Sequence, residues 1–287
     1  MRRTSGKEMR LLAVLLVLAV TLAGCVFEKR TYSESVESIP EFSNLPYVVL
    51  NDNQPEFSQD EITDQSFERY AELDSFNRCG VAMACIGQDI MPEEERGSIG
   101  QVKPTGWQTV KYDFVDGKYL YNRCHLIGYQ LTGENANERN LITGTRYMNV
   151  EGMLPFENMV ADFVKETGNH VMYRVTPVFE GEEMVARGVQ MEAWSVEDEG
   201  EGVCFNVYVY NNQPGVIINY ADGTSTLDES AFSGEEATYV LNTNSKKFHK
   251  EECSQGTAIS EQNRQVSTTT RQMLINQGYE PAGCCNP

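Results

Sequence analysis

The chain has 287 residues, and 42 acidic against 23 basic residues give it a formal net charge of −19. An acidic balance of this size argues against a protein that coats nucleic acid through a broad basic face, so any phosphate-binding site must be local and assisted by a metal ion. The length is enough for one substantial hydrophobic core and a small additional module.

The N-terminal segment predicts export. Basic residues among the first ten positions precede an apolar run at 11–23, which ends in Leu22-Ala23-Gly24-Cys25. The run is short for a membrane span, and small residues before a cysteine indicate a signal peptide with lipoprotein processing. We expect residues 1–24 to be removed and Cys25 to carry a lipid that anchors the protein to the membrane at the cell surface. An ordinary signal peptide or a single anchor helix is the alternative. Removal of the segment's four basic and one acidic residues changes the formal charge from −19 to −22.

Residues 25–44 predict a lipidated N-terminus and a flexible tether, because they are rich in Ser, Glu and Thr and lack apolar periodicity. A short strand over Tyr47–Leu50 is predicted to open the ordered part, and Asn51–Asn53 stops it. Residues 59–75 have a mixed polar pattern that assigns no element.

The middle of the chain predicts a hairpin followed by a helix. Trp107–Phe114 alternates like a strand, Asp116-Gly117 is a turn signal, and Tyr119–Tyr121 begins the returning strand, which leads into Asn122-Arg123-Cys124-His125. After a polar loop at 132–140, apolar residues recur at the three- and four-residue spacings of a helix face, at positions 153, 156, 159, 160, 163 and 164. Pro155 predicts that the regular helix begins no earlier than there or is kinked.

The second half of the chain predicts strands and then a separate module. Strand patterns cover 171–179, 184–194, 203–210 and 215–220, and an acidic Ser/Thr/Gly-rich linker is predicted at 221–238. The last module, residues 239–287, contains a predicted helix at 267–277. The expected fold class is α+β, with a mixed, mainly antiparallel sheet in the domain 45–220 and a small α/β module at the C-terminus.

A few residues in the middle segment suit phosphodiester hydrolysis, which needs a base, a cation and a group that stabilises the leaving oxygen. His125 is one of 3 histidines in the chain, and an imidazole with a pKa of about 6.5 can act as a base near neutral pH. Asn149 offers an uncharged oxygen to Mg²⁺, an ion that takes few protein ligands. Taken alone, a histidine at a strand end and an asparagine near a helix start also fit purely structural roles.

Five segments together resemble the DNA/RNA non-specific endonucleases of the ββα-metal type, in particular secreted bacterial DNases. These segments are Lys103–Trp107, Tyr112-Asp113, Tyr121–Leu131, Asn140–Asn149 and Met153–Glu157. The resemblance implies a ββα-metal finger, a Mg²⁺ cofactor for which Mn²⁺ can substitute, and products with 5′ phosphates. It also implies DNA and RNA as substrates, with little sequence specificity.

The resemblance also implies a role for each matching residue. His125 matches the general base, and Asn149 matches the direct magnesium ligand. Arg123 matches an arginine that holds the phosphate or the leaving group, Asn140 an asparagine that supports substrate and base, and Glu157 an acid that holds water around the ion.

Arg96 and two departures from the family signature add open questions. Arg96 is a candidate phosphate clamp, with a surface charge that offsets neighbouring glutamates as the alternative. Asn122 stands where the family has Asp, which puts the orientation of the base in doubt. Cys124 stands where it has Gly, and could be a nucleophile or form a disulfide with Cys204.

Seven cysteines remain beyond Cys25, an odd number for a compartment in which disulfides persist. If Cys79 pairs with Cys85 and Cys124 with Cys204, three thiols remain in the C-terminal module.

The C-terminal module resembles the zinc-binding module of bacterial alkylation-repair proteins over 239–253 and 278–287. His249 and Cys253 match the first ligand pair and Cys285 the last ligand, while Ala282 occupies the remaining position, where Cys284 could substitute. Adjacent cysteines bind one tetrahedral ion with difficulty. A Zn²⁺ site and a disulfide-tied or metal-free module therefore both stay open.

Two other functions compete with a nuclease. One is a catalytically silent surface lipoprotein that captures DNA, which the presence of both His125 and Asn149 disfavours. The other is a solute-binding lipoprotein, which usually needs two α/β lobes. We expect a monomer that acts on DNA and RNA.

Overall fold

The computed structural model describes residues 39–43, 45–232, 234–285 and 287. The predicted signal peptide, Cys25 and most of the predicted tether therefore lie outside the described residues. Among the described helices, none is both long enough and apolar enough to cross a membrane.

The strands in chain order are β1 (Tyr47–Val49), β2 (Phe67–Tyr70), β3 (Ala82–Ile86), β4 (Tyr121–His125), β5 (Leu141–Thr145), β6 (Val171–Val178), β7 (Gly188–Ser195), β8 (Cys204–Tyr210), β9 (Val216–Ile218), β10 (Ser225–Leu227), β11 (Glu236–Asn242), β12 (Lys247–Lys250), β13 (Arg264–Thr270) and β14 (Glu280–Pro281). The α-helices are α1 (Tyr129–Thr132), α2 (Leu154–Thr167), α3 (Ser254–Thr257) and α4 (Arg271–Asn276).

The largest sheet has the order β1-β8-β7-β6-β3-β2, and neighbouring strands are antiparallel. Its central strands are buried on both faces, which explains their long apolar runs. In β3, alternate residues face different clusters: Ala82, Ala84 and Ile86 join the main core, whereas Met83 and Cys85 pack on the other side. The mixed α+β class with mainly antiparallel sheet is confirmed.

Asn211 joins this sheet to the hairpin of β4 and β5. Its side chain is fully buried, and its amide oxygen accepts a hydrogen bond from Thr145 N at 2.8 Å. Its amide nitrogen donates to the carbonyl oxygens of Thr143 and Ala186. One side chain therefore satisfies backbone groups on β5 and beside β7, which fixes the hairpin against the sheet.

The strand that carries His125 pairs with β5, so the predicted strand over Trp107–Phe114 is wrong, although Tyr112 N and Leu120 N still bond to the carbonyls of Lys118 and Val110. The register aligns His125 with Leu141 and Tyr121 with Thr145. Residues 107–112 form no strand beyond one isolated bridge between Lys111 and Tyr119, and a turn follows at 113–114. The turn signal itself was correct, because Gly117 has a left-handed φ of 68°, but the edge of β4 is taken by a strand farther along the chain.

Helix α2 follows a π-helical turn at Met148–Met153, in which Leu154 N–H bonds to the Asn149 carbonyl. Pro155 lies at the start of the regular helix, as predicted, and Gly168 ends it with a φ of 75°. The apolar face packs on the main sheet through residues that include Phe156 and Val160. Met159, predicted on that face, is 47% exposed, because it lies at the edge of the stripe.

The end of the predicted tether packs on the main sheet. The Phe42 ring lies 5.5 Å from the Tyr210 ring, and Tyr210 donates a hydrogen bond to the Pro40 carbonyl. Ordered structure therefore begins before the boundary at residue 45.

The C-terminal strands form their own sheet in the order β13-β11-β12-β14. Its small core is built from Tyr239, Leu241, Phe248 and Leu274. The predicted helix at 267–277 is wrong over its first turn: β-branched Thr268, Thr269 and Thr270 extend β13, and α4 begins only after Thr270, whose side chain accepts from Met273 N.

The two disulfides considered from the sequence, Cys79 with Cys85 and Cys124 with Cys204, are not formed. Cys79, Cys85, Cys124 and Cys204 are all free thiols. Cys79 donates to the Glu138 carbonyl and Cys85 to the Thr63 carbonyl, so the two cysteines point into different surroundings.

Candidate active site

A groove of about 700 Å³ lies beside the hairpin of β4 and β5 and the start of α2. His125, Asn149 and Glu157 line it together, although they come from three different elements. Three arginines, Arg96, Arg123 and Arg146, also line it and supply positive charge in an acidic chain. The sequence-predicted base and metal ligand therefore share one cavity.

The backbone around His125 is fixed by Asn140. The Asn140 side chain is fully buried, accepts from Ile127 N at 2.9 Å and donates to Ile127 O at 3.0 Å. Its own carbonyl accepts from Leu126 N. Asn140 is not among the residues that line the groove, so its contacts serve to position the end of β4.

The hydrogen bonds of His125 define which ring nitrogen can accept a proton. The Nε2 atom lies 2.7 Å from the Asn135 carbonyl, and Nδ1 lies 3.1 Å from Arg96 Nη2. A carbonyl can only accept and a guanidinium can only donate, so Nε2 carries the hydrogen and Nδ1 presents its lone pair. The ring is thus held as one neutral tautomer.

The surroundings of His125 also keep it neutral. The side chain is 6% exposed, and this burial lowers its pKa to about 4. The Asn135 carbonyl opposes the shift, and the positive charge of Arg96 adds to it. An unprotonated imidazole is therefore available as a base across the neutral pH range.

Asn122 orients the side chain of Asn149. Asn149 Nδ2 donates to Asn122 Oδ1 at 3.3 Å, and Arg146 Nη1 donates to the same oxygen at 3.4 Å. Arg146 is held in turn by Asp116, with Nη2 2.7 Å from Oδ2. Because the Asn149 nitrogen is engaged, its amide oxygen is the atom left to bind a cation.

Glu157 is half-buried at the bottom of the groove. Removal from bulk water raises its pKa to about 7, and the charge of Arg96 counteracts this shift in part. An added Cβ at Gly128 would lie 2.8 Å from the Glu157 carboxylate, so a glycine allows this close approach. Among the described residues, no hydrogen bond or ion pair reaches the carboxylate.

Arg123 holds a loop at the rim of the groove. Its Nε donates to Val102 O at 2.5 Å and its Nη2 to Gly100 O at 2.9 Å. Its guanidinium also lies 4.0 Å from the centre of the Trp107 ring. These contacts commit most of the group to the loop before any phosphate arrives.

Cys124 lies beneath the site. Its side chain is fully buried against Gly144, and burial raises the pKa of its thiol far above the usual value. A buried neutral thiol of this kind is a poor nucleophile.

Comparison with known proteins places this geometry in a family. Residues 58–197 match the model of the family described as DNA/RNA non-specific endonuclease. Residues 58–197, about half of the chain, thus form a domain like those of this family. The match includes both strands of the hairpin, the π-helical turn and α2, and hence every candidate residue of the groove.

A relative that is described as a deoxyribonuclease matches part of the chain. A deoxyribonuclease from Streptococcus dysgalactiae subsp. equisimilis is 34% identical over 121 residues, which are 40% of this chain. The chain spans about a third of that relative's length, since the match covers 35% of it.

Several solved structures share the fold. NucA from Streptococcus agalactiae without metal superposes with a TM-score of 0.59 at 25% identity, over 68% of this chain and 92% of NucA. Its magnesium-bound form gives the same TM-score at 24% identity, over 68% and 94%. Sda1 nuclease with bound zinc has a TM-score of 0.52 at 24% identity, over 63% and 96%.

The groove of this endonuclease domain fits a divalent metal ion. The Asn149 amide oxygen and the Glu157 carboxylate are oxygen donors without a partner among the described residues, and oxygen donors are what Mg²⁺ prefers.

Sequence reasoning missed several groups at the site. The Asn135 carbonyl fixes the histidine ring, yet backbone atoms leave no residue signature. Arg146, which is held by Asp116, donates a hydrogen bond to Asn122. The sequence pointed to this group of residues only through Asn122, which departs from the family's Asp.

Proposed function

We propose that the protein is a magnesium-dependent endonuclease that hydrolyses phosphodiester bonds of DNA and RNA without base preference and leaves 5′ phosphates. The observation that carries the proposal is the groove in which the Nδ1 lone pair of His125 and the amide oxygen of Asn149 are both presented. The family match over residues 58–197 and the deoxyribonuclease relative support it.

Asn149 would hold the ion, and Glu157 would hold water around it. When bound, Mg²⁺ supplies positive charge to the phosphate and to the leaving oxygen, and Mn²⁺ can take its place. The magnesium-bound structure of NucA supports this choice of ion.

His125 acts as the general base. Its Nδ1 accepts the proton of the attacking water, and the imidazolium that forms keeps its Nε2–H bond to the Asn135 carbonyl. General-base catalysis of this kind typically contributes about 10²- to 10⁴-fold in rate.

Arg96 has to leave the histidine before this step. Its Nη2 occupies the Nδ1 lone pair in the described structure, and a phosphate in the groove offers the guanidinium a stronger, charge-assisted partner. Arg96 and Arg123 then contact the phosphate, which explains binding without base preference, because phosphate contacts carry no sequence information directly.

The proposed location is the outer cell surface, where a lipid on Cys25 would anchor a monomeric chain to the membrane. The apolar run at 11–23 and the small residues before Cys25 support this location.

The test is cleavage of plasmid DNA and of RNA by the purified protein with Mg²⁺ and with EDTA. We expect cleavage with Mg²⁺ alone, and loss of cleavage in both His125→Ala and Asn149→Ala. His170→Ala is the matched control, because His170 pairs with Glu197 and does not line the groove.

Two results would contradict the proposal. Full activity in His125→Ala or Asn149→Ala removes that residue from the mechanism. Tight DNA binding without any cleavage in Mg²⁺ or Mn²⁺ would instead favour a DNA-capturing protein.

A further inference from the structure

Tyr119 is an exposed aromatic residue on the wall of the groove, and the chemistry at His125 does not use it. It lies just before β4, lines the groove and is 47% exposed. Among the described residues, no hydrogen bond holds its hydroxyl. A single exposed ring is ordinary on a protein surface, so its place inside a groove is what makes it a candidate for contact with a ligand.

Backbone pairing fixes the position of Tyr119. An isolated antiparallel bridge pairs it with Lys111, and the next residue, Leu120, donates from its N–H to the Val110 carbonyl at 3.0 Å. On the other side, Arg146 N donates to the Leu120 carbonyl at 2.8 Å. The ring is therefore presented from a held segment of chain.

Lys111 adds positive charge at the ring. Its Nζ lies 4.4 Å from the centre of the Tyr119 ring, a cation–π contact that occupies one face. Among the described residues, no carboxylate pairs with this ammonium, whereas the nearby Lys118 pairs with Asp113 at 2.9 Å. The charge of Lys111 is thus available to a phosphate beside the ring.

The other aromatic side chains of the groove are already engaged. Tyr121 is buried, and its hydroxyl donates to a backbone carbonyl at 2.9 Å. Trp107 carries a guanidinium 4.0 Å from its ring centre, and the Tyr129 hydroxyl donates to the carbonyl of a preceding loop at 2.9 Å. Of these four rings, Tyr119 is the most open to an incoming group.

The distance along the chain separates Tyr119 from the reacting phosphate. It precedes His125 by six residues, and an extended chain rises about 3.3 Å per residue, so the ring lies up to about 20 Å from the base. A nucleic acid strand along β4 would reach Tyr119 several nucleotides away from the bond that is cut. Contact there affects binding of the strand more than the chemical step.

The physical chemistry of stacking favours one form of nucleic acid at this position. A base within a duplex is stacked on its neighbours and paired, so neither of its faces is free for a protein ring. An unpaired base offers a face, and stacking on an aromatic side chain tolerates every base because each has a π face. The arginines of the groove contact phosphates, which both forms carry.

Given the proposed nuclease function, on which this step rests, we propose that Tyr119 stacks on an unpaired base of the bound strand while Lys111 contacts a neighbouring phosphate. Single-stranded DNA and RNA then bind more tightly than duplex DNA, and binding still carries no base preference. Tyr119 is in this way a residue that sets the preferred strand state of the substrate.

The test is binding of three labelled probes in EDTA, measured by fluorescence anisotropy: an oligothymidine, a duplex of equal length, and a strand of equal length that lacks bases. The unmodified full-length protein should bind the oligothymidine most tightly. Tyr119→Ala should weaken that binding by about 5- to 100-fold and leave the other two probes unchanged. Tyr119→Phe keeps the ring and should bind like the unmodified protein.

Lys111→Gln distinguishes the phosphate contact from the stacking contact. It should weaken binding of all three probes and lower the salt dependence by about one phosphate contact. Lys118→Gln is the matched control and should change neither, because the Lys118 ammonium already pairs with Asp113.

Cleavage of the same probes with Mg²⁺ separates this proposal from the nuclease proposal. Tyr119→Ala should raise KM for the single strand and keep kcat. Failure of the unmodified protein to cleave any probe would contradict the nuclease function, while the binding measurements in EDTA would still decide the role of Tyr119. Equal affinity of the unmodified protein for strands with and without bases would overturn that role, and so would equal losses on single strand and duplex in Tyr119→Ala.

Discussion

The groove and a C-terminal cluster of His249, Cys253, Cys284 and Cys285 both gather side chains that can bind a divalent cation, but they do so in opposite ways. The groove offers an amide oxygen and a half-buried carboxylate, and the cluster offers three sulfurs and an imidazole whose ligand atoms lie within 4.8 Å of one another. Hard oxygen donors in an incomplete set leave positions for water and phosphate, whereas a complete soft set leaves none. Ligand type and completeness therefore distinguish a cluster that can also take water and phosphate from one whose side chains can fill every position around an ion.

The first prediction tests how the groove orients Asn149, the proposed metal ligand. Asn122→Ala removes the acceptor that engages the Asn149 nitrogen, so the amide can rotate. Loss of such a supporting contact typically costs about 10- to 100-fold in metal affinity or activity. We expect a loss of that size in kcat/KM, together with a higher Mg²⁺ concentration for half-maximal rate.

Asn122→Asp is the control for this prediction, because a carboxylate can still accept from Asn149 Nδ2 and Arg146 Nη1. It should stay within a few-fold of the unmodified protein. Equal losses in both variants would show that the orientation of Asn149 does not depend on this acceptor.

The second prediction concerns stability at acid pH. The pKa of His125 is about 4 in the folded protein and about 6.5 in an unfolded chain, so only the unfolded state gains a proton between those values. Stability from this group is therefore lost as the pH falls from about 6.5 to 4. His125→Ala should recover about 2 kcal/mol of unfolding free energy, relative to the unmodified protein, when the pH is lowered from about 7 to about 5.

Glu157 should change the pH dependence of stability in the opposite direction over a similar pH range. Its folded pKa of about 7 lies above its usual value, so the folded state takes up the proton first and gains stability as the pH falls. Glu157→Gln should therefore make the protein more acid-sensitive. Denaturant unfolding at several pH values, without added metal, measures both variants, and the same slope in the two would contradict the assigned environments.

The third prediction is a shift in the pH profile of cleavage. Arg96 lowers the pKa of His125 through its charge, so Arg96→Ala should raise that pKa and move the acidic limb of kcat/KM to higher pH. Arg96→Lys keeps the charge and should move the limb less. An unchanged limb in Arg96→Ala would mean that another group controls it.

The smallest effect is expected at a contact between the C-terminal module and the π-helical turn that precedes α2. Lys246 of the C-terminal module lies 3.4 Å from Glu151 in the π-helical turn, and both side chains are partly exposed. Exposed ion pairs contribute about 0–1 kcal/mol. Lys246→Ala should thus change the unfolding free energy by less than about 1 kcal/mol, and a large loss of cleavage in this variant would show that the module supports the groove.

The sequence pattern predicted the strands and the helix whose formation depends on residues that are close together in the chain. The apolar runs of β6 and β8 and the spacing of Phe156, Val160 and Val164 followed from burial and helix period. The partner of β4 could not be predicted in this way. The alternation in residues 107–114 favours a nearby hairpin, whereas β4 pairs with β5. In the module, β-branched threonines extended a strand where a helix was predicted.

The candidate site likewise has some features that the sequence indicated and others that it could not. The resemblance, not the spacing, indicated that His125 and Asn149 act together, because pairing of β4 with β5 is what brings them to one groove. The tautomer of His125 could not be predicted, since it depends on the Asn135 backbone carbonyl and on Arg96 from a distant loop. Such contacts are set by tertiary structure and leave no periodic signal.

The most direct test of the account is rescue of the missing base. His125→Ala should lose about 10²- to 10⁴-fold in cleavage rate, and imidazole added in solution should restore part of the rate in this variant but not raise the rate of His170→Ala. Cleavage by His125→Ala at the unmodified rate without imidazole would contradict the central claim that this ring removes the proton from water.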